Sequence, residues 1–169
     1  MINVSIRGII IDQEVELPIV ILVNREKKVV FPLLIGPFEA NAIAMELKGL
    51  SPTRPIAHDV IANLFKRHRY TMLCLEIYDV YDDIYLARIV YRKGLRRYRI
   101  DVRPSDGIAI ALRMNAPIML NERVLEYESG VTKMLAGDLE EIEESLIEHQ
   151  DYSRGILYLD ADSSGDYIM

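Results

Sequence analysis

The chain reads as an α/β (α+β) fold: two strand-strand-helix units packed as one compact domain about a pseudo-two-fold axis. Three observations predict it. The stretch Pro37-Phe38-Glu39-Ala40-Asn41-Ala42-Ile43-Ala44-Met45-Glu46-Leu47 aligns without a gap against Pro104-Ser105-Asp106-Gly107-Ile108-Ala109-Ile110-Ala111-Leu112-Arg113-Met114. Carried backward, the same register sets Ile19–Val23 against Leu86–Val90 and Phe31–Ile35 against Tyr98–Val102. Half of the 169 residues are hydrophobic, enough for one core that the two units would share, since neither buries its apolar face alone.

Each element has a local reason. Ile2 to Ile11 is β-branched and predicts a strand, with Gly8 marking a bulge. Leu17–Val23 and Val29–Ile35 flank a polar Asn24-Arg25-Glu26-Lys27-Lys28 turn and predict a hairpin, the second strand buried on both faces. Gly36-Pro37 opens a helix that Gly49 stops. A second helix sets Ala57, Val60, Ile61, Leu64 and Phe65 on one face. The second unit then runs through strands Met72–Ile77, Ile84–Tyr91 and Arg96–Val102 to a helix from Pro104, and Ile118–Leu120 is a short strand. A further helix starts near Asp138, with capping-box spacing to Glu141. Residues 1–130 thus form the duplicated domain and 131–169 an acidic C-terminal helix and tail.

The net charge of −6 conceals an asymmetry. Asp138 to Met169 holds ten acidic residues and one basic residue, Arg154, leaving 16 acidic and 19 basic over residues 1–137. A mildly basic body with an acidic tail suits a shielded polyanion site or simple solubility. No apolar run reaches the length of a membrane span, and Met1-Ile2-Asn3-Val4 reads as a strand and not a leader. One cysteine, Cys74 in an apolar stretch, predicts a core thiol and a reducing cytoplasm. The phosphate-binding loop, Gly-x-Gly-x-x-Gly, Gly-x-Ser-x-Gly and His-Glu-x-x-His are absent, which argues against the enzyme classes built on them.

Three groups of residues carry possible chemistry. Glu39 and Asp106 stand at equivalent helix starts; paired, they suit a divalent metal, and singly, they complement the helix dipoles. His58, beside Asp59, suits a general base or ligand if the duplicated helices supply partners, or a capping histidine if they do not. Arg88, Arg92, Lys93, Arg96, Arg97, Arg99 and Arg103 form a basic hairpin; alternation sends Arg97, Arg99 and Arg103 to one face. Tyr85, Tyr91 and Tyr98 nearby are able to stack on bases. A solvated sheet face or an oligomer interface accounts for the same arginines.

The segments Pro32–Ala40, Arg54–Val60 and Asp101–Leu112, in this order and spacing, resemble the bifunctional nuclease domain family. The resemblance covers Met1 to about Glu126. It implies a nuclease acting on RNA and DNA. One departure is Ala57, where the family often has a hydroxyl residue before His-Asp. Many bacterial relatives also carry a C-terminal helical module resembling part of the UvrB/UvrC repair proteins; the acidic helix from Asp138 stands at that position but does not match the module.

The resulting expectation is a cytoplasmic, metal-assisted phosphodiesterase with a catalytic set of Glu39, His58, Asp59, Arg103 and Asp106. Glu39, Asp59 and Asp106 would ligate Mg²⁺ or Mn²⁺, His58 would orient or deprotonate water, and Arg103 would stabilise phosphoryl charge. Arg88, Arg92, Arg97 and Arg99 would hold the RNA or DNA. The competing expectation is a non-catalytic nucleic-acid-binding or regulatory module. Its support is Ala42, Ala44, Ala109 and Ala111, small residues that allow close helix packing. Duplicated sheets leave edge strands, so a homo-oligomer, a dimer first, is expected.

Overall fold

The computed structural model describes residues 1–11, 17–24, 26, 27 and 29–127. Its strands are β1 (Ile2–Ile11), β2 (Pro18–Asn24), β3 (Val29–Leu34), β4 (Thr71–Tyr81), β5 (Ile84–Lys93), β6 (Arg96–Val102) and β7 (Ile118–Leu120). Its helices are α1 (Pro37–Leu47), α2 (Ala57–Arg67) and α3 (Pro104–Arg113), and residues 122–127 are also helical. The fold is a mixed α+β arrangement on one seven-stranded sheet, ordered β3-β2-β1-β7-β4-β5-β6. Neighbours are antiparallel except β4 and β7. The helix predicted from Asp138, and the tail beyond it, lie outside the described residues.

Strand alternation builds the core. Val20 and Leu22 of β2, Phe31 of β3, Leu75 and Ile77 of β4, Ile89 of β5 and Leu120 of β7 are fully buried on the face covered by helices. Each such side chain contributes about 1.5–3 kcal/mol relative to exposure. Ile43 of α1 and Ile108 of α3 close over them. The small residues Ala40, Ala42, Ala44, Ala109 and Ala111 are buried between these helices and the sheet. Gly107 is required by packing: a Cβ there would lie 2.4 Å from Leu75 Cδ1.

The strand-turn-strand-helix order occurs on both sides of the sheet, but the two hairpins differ in register. Leu34 pairs with Ile19, whereas Asp101, its counterpart in the ungapped match, pairs with Arg88 and not Leu86. The cause is turn length. Asn24 faces Val29 across four residues, while Lys93 faces Arg96 across Gly94-Leu95. Gly94 takes the positive φ of 58° that a two-residue turn places at its first central position. The slip is even, so side chains keep their faces.

Two packing expectations are corrected. β3 is an edge strand, and although Phe31 and Leu33 are buried, Leu34 is 54% exposed; its apolar run is not covered on both faces. α2 is amphipathic as expected, yet Val60, Ile61 and Leu64 are 47%, 36% and 49% exposed. The helix docks instead through buried Ala62, through Phe65 against Tyr70 and Tyr91, and through the polar contacts of Asp59. Periodicity identified the stripe but not its covering. Among the described residues, no helix is long and apolar enough to cross a membrane.

Candidate active site

The N-termini of α1, α2 and α3 converge, and each delivers one or two of the predicted residues. Pro37 and Pro104 start α1 and α3 at the position where a helix needs no N–H donor. Two residues further on, Glu39 and Asp106 occupy the first turns, where the helix dipole favours a carboxylate. Arg103 caps α3 from an extended backbone conformation, φ −65° and ψ 142°. It therefore leaves the face of β6 on which alternation had placed it with Arg97 and Arg99.

A continuous polar chain links four of the five predicted residues. Arg103 donates from Nε to Asp106 Oδ2 at 2.8 Å and from Nη2 to Glu39 Oε1 at 2.5 Å. His58 Nε2 lies 3.0 Å from Asp106 Oδ1. Burial alone would raise the Asp106 carboxyl, but hydrogen bonds from Arg103 and His58 more than offset it and hold the group below the ordinary carboxylate range. An ionised Asp106 only accepts, so Nε2 of His58 carries the hydrogen. Asp106 and Glu39 in turn hold the Arg103 guanidinium in its charged form.

That tautomer leaves Nδ1 of His58 as an acceptor. Nδ1 is buried and has no hydrogen-bond partner among the described residues. A buried polar atom without a partner costs about 1–3 kcal/mol, which makes it conspicuous. Arg103 differs: its side chain is 68% exposed, against 14% for Glu39, 14% for His58 and 27% for Asp106. The chain thus runs from a sheltered imidazole to an accessible cation.

Asp59 is turned elsewhere. Its Oδ2 accepts from the Ile56 amide at 2.9 Å, capping α2, and its Oδ1 accepts from Arg113 Nε at 2.5 Å. Burial would raise Asp59, yet Arg113 and the Ile56 amide keep it below its ordinary value. Arg113 is buried and also donates from Nη1 to the Ala42 and Ala109 carbonyls at 3.1 and 2.9 Å. It ties α1, α2 and α3 together directly behind the helix starts. Sequence reasoning passed over Arg113, since a basic residue in the last turn of a helix ordinarily complements the dipole from solvent.

The donor set does not fit a divalent cation as it stands. The Arg103 guanidinium already bridges Glu39 and Asp106, and both Asp59 oxygens are engaged. Among the described residues, no three His, Cys, Asp or Glu side chains are grouped to hold a metal.

The predicted arginine row forms a separate feature. Register pairs Arg92 with Arg97, Val90 with Arg99 and Arg88 with Asp101, so Arg88, Arg92, Arg97 and Arg99 share one face. Tyr91 and Tyr98 stack on the opposite, helix-covered face, 5.4 Å between centroids, with Phe65 beside Tyr91. Arg88 is engaged by Glu76 at 2.6 Å and lies over Tyr78, whereas Arg92, Arg97 and Arg99 are exposed. Cys74, on the arginine face and half-buried, has its thiol raised by burial and by Glu76. Beside Arg103 lies a cavity of about 810 Å³, lined by Leu34, Tyr78, Tyr85, Asp101, Arg103 and Ser105, among others.

The sequence model of a bifunctional nuclease domain matches residues 20–133. A Mycobacterium tuberculosis protein described as uncharacterized is 32% identical over 123 residues, covering 73% of this chain and 73% of that protein. Bifunctional nuclease 1 of Oryza sativa subsp. japonica is 24% identical over 116 residues, covering 67% of this chain. Bifunctional nuclease of Oryza minuta matches to the same extent. The chain spans 35% of the length of each of these rice proteins.

Proposed function

We propose, since this chain belongs to the bifunctional nuclease domain family, that the three converging helix starts hydrolyse phosphodiester bonds of RNA and DNA. The observation that carries the reading is the His58–Asp106–Arg103–Glu39 chain, assembled from segments far apart in sequence. Asp106 fixes the His58 tautomer with Nδ1 as the accepting nitrogen, and a water admitted beside that buried atom when substrate binds would give up its proton there. Arg103, already charged and exposed, would neutralise the phosphoryl oxygens. Glu39 holds the Arg103 fork in position, and Asp59 positions His58 by capping the same helix turn.

Of the metal-assisted scheme the reading keeps the residues and not a metal step. Mg²⁺ or Mn²⁺ between Glu39 and Asp106 would require Arg103 to swing out. The row Arg92, Arg97 and Arg99 is proposed to bind the phosphate backbone beyond the scissile bond. We also infer that the two halves descend from one strand-strand-helix unit, that residues 131–169 are an appendage to the domain, and that α2, with Val60, Ile61 and Leu64 exposed, pairs two copies as a dimer.

A second reading is favoured by one observation: Arg103 and Asp106 pair locally, at a spacing of three residues, as in a purely structural cap. A binding module would use the same contacts to fix the helices. Fluorescent single-stranded RNA and DNA incubated with the purified chain separate the two. Cleavage by wild type that is lost in Glu39→Gln supports the nuclease. Binding without cleavage, unchanged in Glu39→Gln, supports the module.

A further inference from the structure

The cavity beside Arg103 has a composition that neither reading yet uses. Its walls are apolar and aromatic: Leu34, Ile84 and Leu86 with Tyr78 and Tyr85. Leu34 and Ile84 are 54% and 62% exposed, and Tyr85 meets Phe31 edge-on with centroids 5.3 Å apart. Two carboxylates, Asp83 and Asp101, and the cation Arg103 are the charged groups in the lining. Tyr127 donates to Asp83 Oδ1. Asp101 ends the arginine face of β6, while Ala87 and Val102 belong to the helix-covered face. The cavity therefore lies at the end of β6, with Asp101 and Arg103 both in its lining.

We propose that this cavity receives one unpaired nucleobase of the substrate, next to the phosphate held by Arg103; the inference rests on the nuclease reading and names its substrate as a single strand. The volume lies within the range of small-molecule sites and exceeds what a base needs. Tyrosine and leucine walls offer sequence-tolerant contact to a π-face. The charge pattern decides which part of a nucleotide enters. Asp83 and Asp101 repel a phosphate but accept hydrogen bonds from base N–H groups, whereas Arg103 attracts the phosphate and has no use for those N–H groups. A duplex keeps its bases paired and stacked, so a duplex presents no base to the cavity without the cost of flipping one out.

The test uses the full chain and measures binding apart from cleavage. A fluorescent single-stranded oligonucleotide is titrated against wild type, alongside the same oligonucleotide made entirely abasic and its duplex. Leu34→Trp and Ile84→Trp fill the rim at exposed positions, where folding is not at stake; thermal melts confirm their fold. The expected result is at least about tenfold weaker binding of the abasic strand and of the duplex, with a similar loss on the intact strand in either Trp variant. Equal binding of intact and abasic strands, no effect of either variant, or no binding of any oligonucleotide overturns the proposal. Base-dependent binding without cleavage of any substrate would support the cavity and sink the nuclease reading, so the two fail separately.

Discussion

Asp59 and Arg113, 54 positions apart, meet at 2.5 Å and join the start of α2 to the end of α3. Because Arg113 also satisfies the Ala42 and Ala109 carbonyls, the pair supports all three helices behind the candidate site. Truncating Arg113 empties a buried position and leaves Asp59, partly exposed and still bonded to the Ile56 amide, without its cation, which costs about 1–3 kcal/mol. Arg113→Ala is accordingly expected to destabilise the fold by that amount in urea denaturation. A change below about 1 kcal/mol would show that the contact holds nothing together.

Gly36 offers a test that separates site geometry from stability. A Cβ there would lie 2.3 Å from Glu39 Oε2, at the far end of a flexible side chain. Gly36→Ala should therefore push the Glu39 carboxylate off Arg103, lowering cleavage severalfold, while thermal stability stays near wild type. By contrast, Gly107→Ala strikes Leu75 inside the core and is expected to cost about 1–3 kcal/mol. Equal effects of both variants on the melting temperature would contradict this division.

Much of the fold was legible because its cues are local. The bounds of β1, the Pro-initiated α1 and α3, and β7 follow from alternation, helix-start chemistry and breakers. What was not legible depends on neighbours distant in sequence. Val60, Ile61 and Leu64 have the period of a core face, yet nothing in that period says that they stay exposed while Phe65 of the same stripe, with Ala62 from outside it, makes the contact. Glu39, His58, Arg103 and Asp106 could be named from their positions. Their order, with Arg103 between the carboxylates and Asp59 turned to Arg113, depends on how three helices cross.

Arg103 bridges Glu39 and Asp106, so a divalent cation held by these two carboxylates would have to displace it. Calorimetric titration with Mn²⁺ is expected to give no saturable binding at sub-millimolar concentration in wild type. Arg103→Gln, which frees Glu39 and Asp106, should bind more tightly. Stoichiometric micromolar binding to wild type would contradict the bridging role assigned to the guanidinium.

Acid should weaken the chain through Asp106 and Asp59. Both are held below the ordinary carboxyl value of 3.8 in the folded state. A depressed folded-state value means stability that is fully present above the unfolded value and is lost as pH falls through the folded one. Unfolding free energy should therefore fall from about pH 4 downward, and less steeply in Asp106→Asn. Equal acid slopes for wild type and that variant would remove Asp106 from the account.

The most direct test is the rate of phosphodiester cleavage by His58→Ala against wild type, on single-stranded RNA and DNA at neutral pH. His58 carries the buried, unpartnered Nδ1, and its loss leaves Asp106 still paired with Arg103. The proposed role as general base predicts a fall of about 10²–10⁴-fold with the fold and oligonucleotide binding retained. Cleavage by His58→Ala at the wild-type rate would contradict the mechanism.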